Sequence, residues 1–172
     1  MIRNILTILL SLSLPVISNM ASSLPANINN DIVTSALPLH SPRFDRNRPI
    51  IAVVGENTYT ELTDYIVPYG ILSESKVADV YALATQEGPL QMFPALRLQP
   101  QATVAQFDSQ FPRGADYVIV PAVHHSDDPS LIEWIIEQSN KGATIVGVCD
   151  GVLVLANAGL LDEHKAVGHW YS

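Results

Sequence analysis

Thr144-Ile145-Val146-Gly147-Val148-Cys149-Asp150-Gly151-Val152-Leu153-Val154-Leu155 reads as an apolar strand, a sharp turn flanked by glycines, and an apolar-periodic helix. That order is the pattern of a nucleophile elbow. The turn holds its central residue in a strained backbone conformation, glycines on either side permit close approach, and the side chain is lifted to the carboxyl edge of a sheet. The residue at that apex is Cys149, the single cysteine of the chain. Backbone N–H groups and the dipole at the start of the next helix favour a thiolate, the nucleophilic form of cysteine. The competing reading is a buried structural cysteine, because free cysteine is among the most buried residue types.

Upstream of the elbow, strand and helix signals alternate. Pro49 to Gly55 is a continuous apolar run ending in glycine, as expected of a strand buried on both faces of a parallel sheet. Thr60 is a candidate helix cap, and Leu62, Tyr65, Ile66 and Tyr69 follow at helical spacing to about Ser73, with Pro68 inside the helix. Val77–Ala84 reads as a second strand, Leu90–Phe93 with Ala95–Leu98 as a short hairpin around Pro94, and Thr103–Phe111 as a modest helix. Asp116–Pro121 is a third apolar strand, and Pro129–Gly142 is an amphipathic helix whose Trp134 reads as core. These elements predict an α/β fold: a doubly wound parallel sheet with helices on both faces and any site at the carboxyl ends of its strands.

The chain has 172 residues, 48% of them hydrophobic and 15% charged, which suits one domain with a substantial core. Residues 1–22 carry Arg3 and then an apolar run broken by Pro15, the pattern of a secretory signal peptide, and the run is short for a bilayer span. Residues 23–48, rich in Ser, Asn and Pro, read as a linker, and the domain occupies 49–172. Removal of residues 1–22 takes the formal charge from −8 to −9, which argues against nucleic acid or an anionic membrane as a partner. The expected location is secreted or periplasmic, with no stable membrane insertion after processing. One cysteine cannot form an intramolecular disulfide, so an exported chain would carry a free thiol.

Three segments together resemble the ThiJ/PfpI family of the class I glutamine amidotransferase-like superfamily. They are Gly147-Val148-Cys149-Asp150-Gly151 with Leu153 to Asp162 and His169-Trp170, then Glu61-Leu62-Thr63-Asp64-Tyr65-Ile66-Val67-Pro68, and Tyr117-Val118-Ile119-Val120-Pro121. The first of them looks like the amidase-like sensor domains fused to some transcription regulators. Where the family usually has two glycines after the proline, this chain has Ala122 and Val123. The resemblance covers about residues 49–172 and implies a flavodoxin-like sandwich. It also implies Cys149 as nucleophile or oxidation-sensitive thiol, Glu61 as an acid approaching that thiol, and His169 as its imidazole partner. The amides of Asp150 and Ala122 would form an oxyanion hole. The Asp150 carboxylate either opposes ionisation of the neighbouring thiol or turns away as a helix cap.

The function implied is a cysteine-dependent hydrolase or hydratase of small carbonyl or nitrile-type substrates. A ligand-binding or redox-sensing domain, or an inactive short member of the family, is the alternative. The expected partner is a small-molecule ligand or substrate, and the family resemblance adds a homodimer. No cofactor is expected. His124-His125-Ser126-Asp127-Asp128 matches no defined metal spacing, so no metal is expected either, and the segment reads as a solvated loop bordering the pocket. Family members usually continue beyond the His-Trp pair with a further strand and helix, so the resemblance implies a sheet short of its last elements and a loosely held His169.

Overall fold

The computed structural model describes residues 40–41 and 43–170, so the expected signal peptide and most of the expected linker lie outside the described residues. Five strands form one parallel sheet in the order β6-β3-β1-β7-β8: β1 (Ile50–Gly55), β3 (Asp79–Ala84), β6 (Ala102–Thr103), β7 (Tyr117–Val120) and β8 (Thr144–Gly147). A smaller set joins β2 (Thr60–Glu61), β4 (Leu90–Phe93) and β5 (Arg97–Leu98), with β4 and β5 antiparallel. This is the doubly wound parallel sheet that the alternation of elements predicts and the flavodoxin-like sandwich that the resemblance implies.

All six residues of β1 are buried, and they alternate between two cores. Ile50, Ala52 and Val54 pack with Phe107, Trp134, Ile135 and Val154, whereas Ile51 and Val53 pack with Tyr65, Ala82, Leu90 and Met92. A strand with helices on both sides must be apolar at every position, which explains the unbroken run in the sequence. Helix α1 (Leu62–Ser75) covers one face through Leu62, Tyr65, Ile66, Tyr69 and Leu72, at the spacing of one helical stripe. The Tyr65 hydroxyl donates to the Leu83 carbonyl at 2.9 Å, so this buried phenol has its polar atom satisfied.

The other face is covered by α2 (Val104–Gln110), α3 (Pro129–Asn140) and α4 (Gly151–Asn157). Thr103 and Gln106 form a reciprocal capping box at the start of α2. Asp128 caps α3 by accepting from the Leu131 amide, and Pro129 fills the first turn, where a missing N–H costs nothing. Asp108 stitches the two helices together, accepting from Trp134 Nε1 at 2.9 Å and Gln138 Nε2 at 2.8 Å.

Residues 43–48, read from sequence as linker, are seated on the amino edge of the sheet. Arg43 donates to the Gly142 and Ala115 carbonyls, and Arg46 pairs with Asp116 at 2.7 Å. The Phe44 ring meets the guanidiniums of Arg43, Arg46 and Arg113 within 5.0 Å. The order of the sheet decides where a site can form at the opposite edge. The chain runs from β1 outward to β3 and β6, then returns to lay β7 on the other side of β1. A crevice opens at the carboxyl ends of β1 and β7, where the connections diverge.

Candidate active site

Three connections meet at that crevice. The turn after β8 brings Cys149, with φ of 54° in the left-handed region that costs a residue with a side chain about 1–2 kcal/mol. The turn closes this tightly because the residues two positions to either side are glycines. A Cβ on Gly151 would lie 2.0 Å from the Val120 carbonyl oxygen, and one on Gly147 would lie 3.0 Å from the Val152 amide nitrogen. The elbow expected from the sequence is therefore present, and it is packed directly onto the end of β7. Cys149 is exposed, which sets aside the buried structural reading.

Glu61, Ala122, Cys149, Asp150 and His169 all line one cavity of about 230 Å³. Tyr59, Phe93, Val123 and His124 complete its walls. The five residues singled out in the sequence are thus brought together, but their detailed roles differ from the expected ones. Glu61 caps α1: its carboxylate accepts from the Asp64 amide at 2.7 Å and from the Thr63 hydroxyl at 2.8 Å. Of the two carboxylates that act on the Cys149 thiol, Asp64, one helical turn beyond Glu61, acts the more strongly. The Ala122 amide donates to Asp64 Oδ2 at 3.3 Å, so it is engaged with this carboxylate where an oxyanion contact was expected.

Asp150 occupies the cap position of α4, yet its side chain makes no capping bond. Its Oδ1 instead accepts from the His169 amide at 3.2 Å, tying the segment after α4 to the elbow. The His169 side chain is exposed on the cavity rim. His124 lies between two rings, 4.9 Å from Tyr59 in a stacked arrangement and 5.0 Å from Phe93 in a tilted one. His125 points toward Glu56, with 3.6 Å between Nδ1 and Oε1. Among the described residues no group of three or more His, Cys, Asp or Glu is arranged to hold a metal ion.

The electrostatics of the cleft run against the thiolate that a helix start would favour. Partial loss of water raises the thiol above its ordinary value, although the Asp150 amide pulls it down; the Asp64 and Asp150 carboxylates push it further up. Asp64 is also raised, by burial and by the Glu61 and Asp150 charges, against the opposing bonds from Ala122 and Cys149. Desolvation leads the rise of the thiol and the two carboxylates add to it, against the stabilisation of a thiolate expected at the start of α4.

The DJ-1/PfpI family model matches residues 50–172. A ThiJ/PfpI family protein from Pseudomonas syringae superposes with a TM-score of 0.62 at 23% identity, over 80% of this chain and 58% of that one. Oxidised DJ-1 from Toxoplasma gondii superposes with a TM-score of 0.57 at 16% identity, over 70% of this chain and 66% of that one. A DJ-1 superfamily protein from Salmonella typhimurium does so at 0.57 and 21%, over 66% and 62%. In sequence, the chain is 43% identical over 42 residues to the HTH-type transcriptional regulator CdhR of Pseudomonas aeruginosa, a stretch that is 24% of this chain and 12% of the regulator. With its sheet order, its strained cysteine elbow and a family match across the whole described sheet, the chain belongs to the DJ-1/PfpI family.

Proposed function

We propose that the domain is a cysteine-dependent enzyme that hydrates or hydrolyses a small electrophilic molecule, with Cys149 as nucleophile and Asp64 as its proton acceptor. The observation that carries this reading is the Cys149 thiol at the apex of a strained turn, on a cavity of small-molecule size and under the influence of the Asp64 carboxylate. A thiol whose ionisation is opposed attacks well only when a base takes its proton during the step. Sulfur forms a bond to the electrophilic carbon as the S–H bond breaks, and the proton passes to Asp64. In a nitrile the electron pair of the carbon–nitrogen π bond goes to nitrogen, which takes the proton from Asp64; in an amide or ester the C–N or C–O bond breaks and the amine or alcohol leaves with that proton. Water cleaves the carbon–sulfur bond afterwards, returning a proton to the thiol. His169 and His124, on the cavity wall, are the imidazoles available to activate that water.

Product formation from a panel of small nitriles, amides and esters tests the reading. Asp64→Asn lowers turnover by about 10²–10⁴-fold, the usual worth of a positioned base, and Cys149→Ser abolishes it. Undiminished turnover in Cys149→Ser sinks the proposal. A second reading is favoured by the match to the regulator CdhR: the same cavity binds a ligand as a sensory module, without turnover. Ligand-induced thermal stabilisation retained in Cys149→Ala, with no product from the panel, supports that alternative. Export through residues 1–22 belongs to the proposal as well. Amino-terminal sequencing of the mature chain checks it, with an intact Met1-Ile2-Arg3 start as the contrary result.

A further inference from the structure

Glu56 is 3% exposed, the most buried acid side chain of the carboxyl edge, and the chemistry proposed above makes no use of it. Its two carboxylate oxygens accept from the backbone amides of Thr58 and Tyr59, each at 2.6 Å. The Thr60 hydroxyl, fully buried, closes the same loop by donating to the Glu56 carbonyl at 2.7 Å. The loop is tight: a Cβ on Gly55 would lie 2.6 Å from Thr60 Oγ1. Its outer end presents Tyr59 to the thiol cavity.

The connection after β7 is joined to this loop at several points. The His124 amide donates to the Tyr59 carbonyl at 3.1 Å, Thr60 bridges Val123, and His125 approaches Glu56 from above. The outcome is a row of three rings, Tyr59, His124 and Phe93, drawn from the loops after β1 and β7 and the end of β4 and lining the same cavity as Cys149. Glu61 and Asp150 supply the charge on the cavity, and no Lys or Arg lines it among the described residues.

We infer that Glu56 is the positioning residue of this ring wall, and that the wall selects a flat, uncharged, largely apolar substrate for Cys149. A buried carboxylate with two charge-assisted bonds to consecutive amides fixes the backbone of the residue it holds. The ring so fixed offers a rigid face on which a planar group stacks. A carboxylate or phosphate substrate meets acids and no described cation in this cavity. The inference rests on the cavity being the substrate site of Cys149, but not on Asp64 acting as its base.

The test uses two maleimides with one reactive group, N-phenylmaleimide and N-methylmaleimide, and reads the ratio of their second-order rates at Cys149 in the full chain. Against a free cysteine peptide, the protein favours the phenyl probe by about three- to tenfold, the worth of one ring contact. Glu56→Gln, which puts an amide N–H where a backbone donor needs an acceptor, removes that preference; so does Tyr59→Ala. The double variant loses no more than either alone, since both act through one ring. General destabilisation alters both probes alike and leaves the ratio unchanged. Glu56→Asp, which withdraws the oxygens by one methylene, gives the same readout if Glu56→Gln does not fold. A wild-type ratio in the folded Glu56 variant, or additive losses in the double variant, overturns the inference. A lowered ratio without any substrate turnover leaves it standing and removes the enzymatic reading instead.

Discussion

The two edges of the sheet hold their carboxylates in opposite ways. At the amino edge, Asp116 is buried and faces two cations: Arg46 at 2.7 Å and Arg43 Nε at 3.9 Å, with the Ile50 amide donating at 2.8 Å. At the carboxyl edge, Asp64 is surrounded by Glu61, Asp150 and a thiol, with no described Arg or Lys on the cavity wall. The same residue type is neutralised where it fastens the chain and left crowded by like charge where chemistry is expected. Backbone strain does not follow this division: Phe44 and Asp45 at the amino edge and Cys149 at the carboxyl edge all sit at positive φ.

Three substitutions break or sharpen this contrast. Arg46→Ala leaves Asp116 buried beside a single, more distant guanidinium and lowers stability by about 3 kcal/mol, as read from urea unfolding. A loss under about 0.5 kcal/mol would mean that the amino edge is not held by this pair. Cys149→Gly has the opposite sign. Glycine adopts the left-handed conformation without steric cost, so stability rises by about 0.5–1 kcal/mol, whereas Cys149→Ala retains the strain and gains nothing of the kind. Equal stabilities for the glycine and alanine variants would show that the elbow is relaxed.

The smallest shift in an equilibrium, that of thiol ionisation, concerns the crowded charges themselves. Asp64→Asn removes a carboxylate that raises the thiol, so the pH midpoint of Cys149 alkylation moves down and labelling at a fixed pH below it becomes faster. Turnover falls in the same variant because the proton acceptor is gone. Two readouts moving in opposite directions distinguish a base from a merely inhibitory charge. An unmoved midpoint would mean that the carboxylate and the sulfur are not coupled.

The elbow could be read from sequence because its requirements are local: a strand, two glycines at the right offsets and a helix, each imposed by contacts within a few residues. Strand β1 was legible for a related reason, since burial on both faces leaves no polar position in the run. The identity of the thiol's acid was not legible. Thr60 looked like the cap of α1, but it is drawn into the short strand β2 and its hydroxyl goes to Glu56, so Glu61 becomes the cap. One residue of shift turns a helix by about 100°, enough to change which of two nearby acids is engaged in capping it. Tyr59 and Phe93 gave no signal, because each reaches the cavity only through the pairing of β2 with β4 and the return of β7 to β1. His124 was noticed as part of a loop bordering the pocket, and its place between two rings depends on that same long-range assembly.

The two tryptophans stand in sharply different surroundings: Trp134 is 5% exposed, with its indole N–H held by Asp108, and Trp170 is 88% exposed. Acrylamide quenching of the native chain therefore resolves a shielded emitter from an accessible one. Trp170→Phe isolates the shielded signal and turns its red shift into an optical gauge of how the α2–α3 layer separates from the sheet.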